Sequence, residues 1–215
     1  DFTMDKLIRP RPGPGATNEP TKKHERYRPR VLYKQIHRVM PIEEWWYNHP
    51  WDVCDESRDF LRLLHRAVEH PCARFKFVPK TAGKPRGICI EENEMQVMQQ
   101  AIRQALNEEI EKLYPSLSLD DQSINAFLAF LASIDKDDAT IDMSEASDRI
   151  SRHLVSWLFQ DNIELHDVLM ALSTKFIKPP SELRKTHRSA IKTNKFAPMG
   201  SALCFPVMSL VHLAL

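Results

Sequence analysis

The sequence predicts an α+β fold, rich in helices and poor in strands, and three patterns carry that expectation. Met95, Met98, Ile102, Ala105, Ile110 and Leu113 recur at helical spacing, which marks an amphipathic helix over residues 93–114. Phe75 and Phe77 alternate with their neighbours, as do Ile88 and Ile90, and Thr81-Ala82-Gly83-Lys84-Pro85 turns between them. Ala139-Thr140 is a short β-type stretch, and a helical pattern through Ile150, Leu154, Trp157 and Leu158 follows it.

The elements follow in order. Residues 9–30 are rich in proline, glycine and basic residues, and Arg9-Pro10-Arg11-Pro12-Gly13-Pro14-Gly15 excludes regular structure, so an extended arm is expected. Residues 31–71 are helical in parts, with Phe60, Leu61, Leu64 and Val68 on one face. Trp45, Trp46, Tyr47 and Trp51 form an aromatic cluster that could stack bases but is better suited to anchoring a core. After the hairpin and the long helix, a second helix runs from Gln122 to Ile134 with Asp120 or Asp121 as its cap. A helix over 163–176 ends before Lys178-Pro179-Pro180. Ala197-Pro198-Met199-Gly200-Ser201-Ala202 is a loop, and Pro206 fits the first turn of a last helix through Val207, Leu210 and Val211.

A length of 215 residues fits one large domain or two small ones, and a hydrophobic share of 42% is ordinary for a globular core. No apolar run reaches the roughly 20 residues of a membrane span, and the start has no signal-peptide core. Cys54, Cys72, Cys89 and Cys204 lack metal-ligand spacing and read as reduced thiols of a cytosolic protein. The net charge of +1 hides a pattern. Residues 1–40 hold ten Lys/Arg against four Asp/Glu, and residues 72–90 hold five bases and no acid. Residues 91–150 hold fourteen acids against four bases, and residues 151–215 return to eight bases against four acids. Basic regions flanking an acidic one suit a protein that grips a polyanion and keeps carboxylates for cations.

The acidic region contains Ile141-Asp142-Met143-Ser144-Glu145-Ala146-Ser147-Asp148. This order places Asp142 at the end of a strand and Asp148 on the first turn of a helix. A carboxylate at a strand end can hold a catalytic metal, which points to metal-assisted phosphoryl chemistry.

Three segments stand in sequence order: Pro79 to Ile88, Ile141 to Asp148, and Phe196 to Phe205. Together they resemble motifs F, A and B of viral RNA-dependent RNA polymerases, above all the replicases of levivirus-like RNA bacteriophages. Pro12-Gly13-Pro14-Gly15-Ala16-Thr17 and Asp120-Asp121-Gln122-Ser123-Ile124-Asn125 resemble two further elements of that family. Glu91 matches a family glutamate, whereas Glu92 stands where proline is usual.

The resemblance implies a partial right-hand polymerase, comprising fingers and the N-terminal part of the palm. Fingers with the basic arm and motif F hairpin span 1–135, and the motif A strand and helix span 136–160. A basic, fingers-type insertion spans 161–195, and the motif B loop and truncated helix span 196–215. Motif C is absent, so a continuation bearing it beyond Leu215 is expected, and the isolated chain is expected not to polymerise RNA.

Residue roles follow from the same resemblance. Asp142 is the expected catalytic metal ligand, for two Mg²⁺ (or Mn²⁺) ions in the complete enzyme. Asp148 is assigned to the ribose of the incoming nucleotide. Lys80, Lys84 and Arg86 suit its triphosphate. Gly200 would let the motif B loop flex, and Ser201 could bond the ribose 2′-hydroxyl. Arg184, Lys185, Arg188, Lys192 and Lys195 are expected to contact RNA phosphates. Expected partners are single-stranded template and nascent RNA, ribonucleoside triphosphates and host translation factors, in the cytoplasm of an infected bacterium, with no membrane. A reverse transcriptase-like palm and a non-catalytic RNA-binding module are the competing readings.

Overall fold

The computed structural model describes residues 10–19, 22–42, 56–81, 83–139, 141, 145–180, 183 and 189–214. Among them the α+β expectation holds. Helix α1 spans Lys34–His37, α2 Glu56–His65, α3 Asn93–Leu113 and α4 Gln122–Asp135. Helix α5 spans Arg152–Leu158, α6 Ile163–Ala171 and α7 Cys204–Leu213. The strands are β1 (Cys72–Thr81), β2 (Lys84–Ile90), β3 (Phe176–Lys178) and β4 (Ile191–Lys192), in one sheet ordered β2-β1-β3-β4.

Helix α3 is the spine. Met95, Met98, Ile102, Ala105 and Ile110 are buried, each large one contributing about 1.5–3 kcal/mol by leaving water. The stripe ends there, because Leu113 is 71% exposed. The core around α3 joins Leu32 and Met40 to Val168 and Leu169 of α6, and to Val207 and Val211 of α7. Glu92 precedes α3 with φ −65° and ψ 152°. That is backbone a proline would also take. Its carboxylate accepts a hydrogen bond from the Asn18 amide at 2.8 Å.

The proline-rich arm is packed rather than free. The Arg26 guanidinium donates to the carbonyls of Gly13 (3.3 Å) and Gly15 (2.7 Å), and the backbone N–H of Asn18 donates to the Glu91 carbonyl at 2.8 Å. Gly13 lies against the side chains of Gln96 and Gln100 on α3.

In the β1–β2 hairpin Phe75 pairs with Cys89 and Phe77 with Gly87. The strands reach Thr81 and Lys84, so the turn is tighter than the five residues expected, and Gly83 serves it with φ +80°. The sequence predicts helix over 163–176, but α6 ends at Ala171. Phe176-Ile177-Lys178 instead pairs parallel to Cys72-Ala73-Arg74 as β3. A β-sheet edge offered by β1 satisfies these backbone groups better than another helical turn into the Pro179-Pro180 break.

Helix α4 is capped by Asp121, whose carboxylate accepts from the Ser123 N–H at 2.9 Å, and is closed by Lys136 in the left-handed region. Its apolar residues, including Phe127 (59%) and Phe130 (60%), are exposed. The cluster Trp45, Trp46, Tyr47 and Trp51 lies outside the described residues.

Candidate active site

Strand pairing carries Lys80 to the end of β1 and Lys84 and Arg86 onto β2, all exposed to solvent. They line one side of a cavity of about 820 Å³. Its other walls are Glu145, Ser147 and Asp148, and Met199, Phe205 and Met208 from the third segment. Three segments widely separated in sequence therefore meet at one opening, with three cations facing two carboxylates.

The acidic wall is a tight turn. Glu145 has φ +56°, the Asp148 N–H donates to the Glu145 carbonyl at 3.0 Å, and Ser147–Arg149 form a 3₁₀ turn. The expectation that Asp148 opens a helix continuing through Ile150 and Leu154 needs correction. Ile150 and Ser151 are extended, and α5 begins only at Arg152 with the Ser151 hydroxyl accepting from the Leu154 N–H at 3.1 Å. The break has a cause in long-range pairing: the Phe196 N–H donates to the Ile150 carbonyl (3.0 Å) and the Arg152 N–H to the Asn194 carbonyl (2.8 Å). This short ladder brings Lys195 Nζ to 3.2 Å from Asp148 Oδ1.

Asp142 lies outside the described residues with Thr140, Met143 and Ser144, and so does the expected strand end; Ala139 and Ile141 belong to no strand. Among the described residues no group of three or more His, Cys, Asp or Glu side chains could hold a metal ion.

The third wall is pinned from two sides. The Cys89 N–H of β2 donates to the Met199 carbonyl at 2.8 Å. Gly200, at φ +115°, presses on the Cys89 carbonyl so closely that a Cβ would lie 2.1 Å from its oxygen. From α3, the wholly buried Gln99 accepts from the Ala202 N–H (3.1 Å) and donates to the Leu172 carbonyl (3.0 Å). Met199 thus reaches the cavity. Gly200 and Ser201 stand behind it: Ser201 is buried, and its hydroxyl accepts from the Leu203 N–H at 3.4 Å. Cys204 is hydrogen-bonded to Ser147, and burial raises its thiol pKa.

Sequence reasoning passed over Gln99, although its place between Met95 and Ile102 on the buried stripe is the signal that a polar side chain there must have partners. It also read the acidic region as held for cations. Glu91, Glu92 and Glu94 are buried instead, and burial pushes the Glu91 carboxyl up to about 7, opposed by the Thr174 hydroxyl that donates to it.

On the far side of β2 lies a second cavity of about 790 Å³. Phe75, Phe77, Pro179 and Ile191 give it an apolar floor, and Lys192 and Lys195 supply charge. Asp148, Gly87 and Met199 border both cavities. Gly87 leaves room for the Phe75 ring, which a Cβ would meet at 2.5 Å. Arg184, Lys185 and Arg188 lie outside the described residues.

The segments that build these walls fall within residues 63–215, which match the family described as RNA replicase, beta-chain. The chain belongs to that family. Over 171 residues it is 30% identical to the RNA-directed RNA polymerase beta chain of Enterobacteria phage GA, an alignment covering 79% of this chain and 29% of that protein. Over 138 residues it is 30% identical to the RNA-directed RNA polymerase beta chain of Escherichia phage MS2, covering 64% of this chain and 23% of that one. The chain thus spans less than a third of the length of these relatives. Among its described residues no helix is long and apolar enough to cross a membrane.

Proposed function

We infer that this replicase chain forms the nucleotide-facing part of an RNA-directed RNA polymerase that copies a phage RNA genome in the cytoplasm of an infected bacterium. One observation carries the reading: the 820 Å³ cavity where Lys80, Lys84 and Arg86 face Glu145 and Asp148. A ribonucleoside triphosphate matches that polarity, with its phosphates on the hairpin cations and its ribose at Asp148. Gly200 and Ser201 enter the reading as residues that set the Met199 wall. Lys192, with Arg184, Lys185 and Arg188, provides cations for template and product RNA backbones. In the reaction a 3′ oxygen of the growing strand attacks the α-phosphorus and pyrophosphate leaves.

Asp142 is the proposed ligand for Mg²⁺ or Mn²⁺. When bound, two such ions activate the attacking oxygen and stabilise the leaving pyrophosphate. The position of Asp142 in the family pattern supports this part, and host translation factors remain proposed partners on the resemblance alone.

Photolabelling with 8-azido-GTP tests the reading. Label is expected on the β1–β2 hairpin, the 145–148 turn or the 199–208 segment, and competition by GTP but not by guanosine is expected. Label confined to other segments contradicts it. In a polymerase that carries this sequence and incorporates nucleotides, Asp142→Ala is expected to abolish incorporation and leave RNA binding intact; unchanged incorporation would show that Asp142 holds no catalytic metal and that this segment serves RNA binding only.

A further inference from the structure

The ion pair between Lys195 and Asp148 has a geometry that a general basic lining does not need. Lys195 is fixed at its backbone. Its N–H donates to Thr193 Oγ1 at 3.1 Å, it bridges antiparallel to Ser151, and the next residue, Phe196, is 1% exposed. Asp148 is fixed in turn by its 3₁₀ turn and by the same ladder at Ile150. Both backbones are thus set by one piece of structure, and the side chains meet at 3.2 Å between Nζ and Oδ1.

Lys195 lines only the second, apolar-floored cavity, whereas Asp148 borders both. The ammonium therefore engages one carboxylate oxygen at the junction of the two spaces. Asp148 also borders the space lined by Lys84 and Arg86, where a ribose hydroxyl could donate to its second oxygen. The pair is half-exposed, with side-chain exposures of 43% and 39%, so its worth in stability is small. Its effect is on orientation. An exposed aspartate on a short turn samples several rotamers, and a cation whose backbone is held beside it favours the one that meets the ammonium.

The geometry points to Lys195 as a positioning residue that aims Asp148 at the ribose of a bound ribonucleotide, and thereby a determinant of ribose over deoxyribose choice. This rests on the nucleotide reading of the larger cavity. It differs from a role in RNA backbone binding, which would need the ammonium free for phosphate.

The test is equilibrium binding of GTP and 2′-deoxy-GTP, and separately of a single-stranded RNA oligonucleotide over a range of salt, to the purified chain. Wild type is expected to prefer GTP. Lys195→Met is expected to bring the GTP to dGTP ratio down severalfold, as far as Asp148→Asn does, with no further change in the double variant. Lys195→Arg is expected to restore the ratio, and RNA affinity and its salt slope should not move. Lys195→Gln replaces Lys195→Met if the latter unfolds.

An unchanged ratio in Lys195→Met, with weaker RNA binding and a salt slope shallower by about 0.7, shows a phosphate contact and overturns the inference alone. A wild-type chain that binds both nucleotides without preference also overturns it alone. A wild-type chain that binds neither overturns the nucleotide reading, and this inference with it.

Discussion

The α-carbon of Gly200 faces the carbonyl oxygen of Cys89 with no room for a side chain, since a Cβ would stand 2.1 Å from that oxygen. The third segment and strand β2 are therefore locked backbone to backbone, with the hydrogen bond from Cys89 N–H to the Met199 carbonyl beside the contact. Gly200→Ala is expected to separate them. A left-handed φ alone costs about 1–3 kcal/mol, and the clash with a backbone atom adds to it. Urea denaturation should show the midpoint falling with little change in slope, and the Met199 wall should lose its place.

Glu91 gives stability a pH dependence. Its folded pKa is raised to about 7 from the ordinary 4.5, first by burial. The fold therefore holds the proton that the unfolded chain releases, and stability falls as pH rises from about 4.5 to about 7, then levels. The span amounts to an order of magnitude of 3 kcal/mol. Glu91→Gln is expected to flatten the stability profile across this window, measured by denaturation at pH 5 to 8.

Gln99 ties α3 to the loop before α7. Gln99→Leu keeps the volume and leaves the Ala202 N–H and the Leu172 carbonyl without their partners, at about 1–3 kcal/mol for each buried group. The expected result is a lower melting temperature and faster amide exchange at Ala202. Exchange at α4, which is far from these bonds in sequence and exposed, should stay as it was.

Cys89 is expected to be the slowest of the described thiols to alkylate. Burial pushes its pKa up to about 12, with Glu91 and Asp148 adding to the effect, so little thiolate forms at neutral pH. Peptide mapping after timed iodoacetamide treatment checks this. Cys72 and Cys204, both half-buried, should react earlier.

Local patterns were legible where local physics decides. The stripe on α3, the alternation in β1 and β2 and the Asp121 cap can be read from spacing alone. What the sequence concealed depends on distant partners. Phe176 and Ile177 leave a helical pattern because β1 offers an open edge, and Ile150 interrupts one because residues 194–196 pair with it. The three walls of the cavity were legible as ordered motifs. Behind them, the pinning of Gly200 by Cys89 and of Ala202 by Gln99 carries no spacing signature, because a backbone carbonyl looks alike in every residue.

The most direct test of the central claim is a titration of the chain with GTP, for wild type and for Lys84→Met/Arg86→Met. These two cations are exposed and line the cavity, so their loss should leave the fold intact. Wild type is expected to bind GTP in preference to guanosine, and the double variant to lose at least about tenfold in affinity, the order of two charge-assisted phosphate contacts. Equal affinity in the two proteins would contradict it.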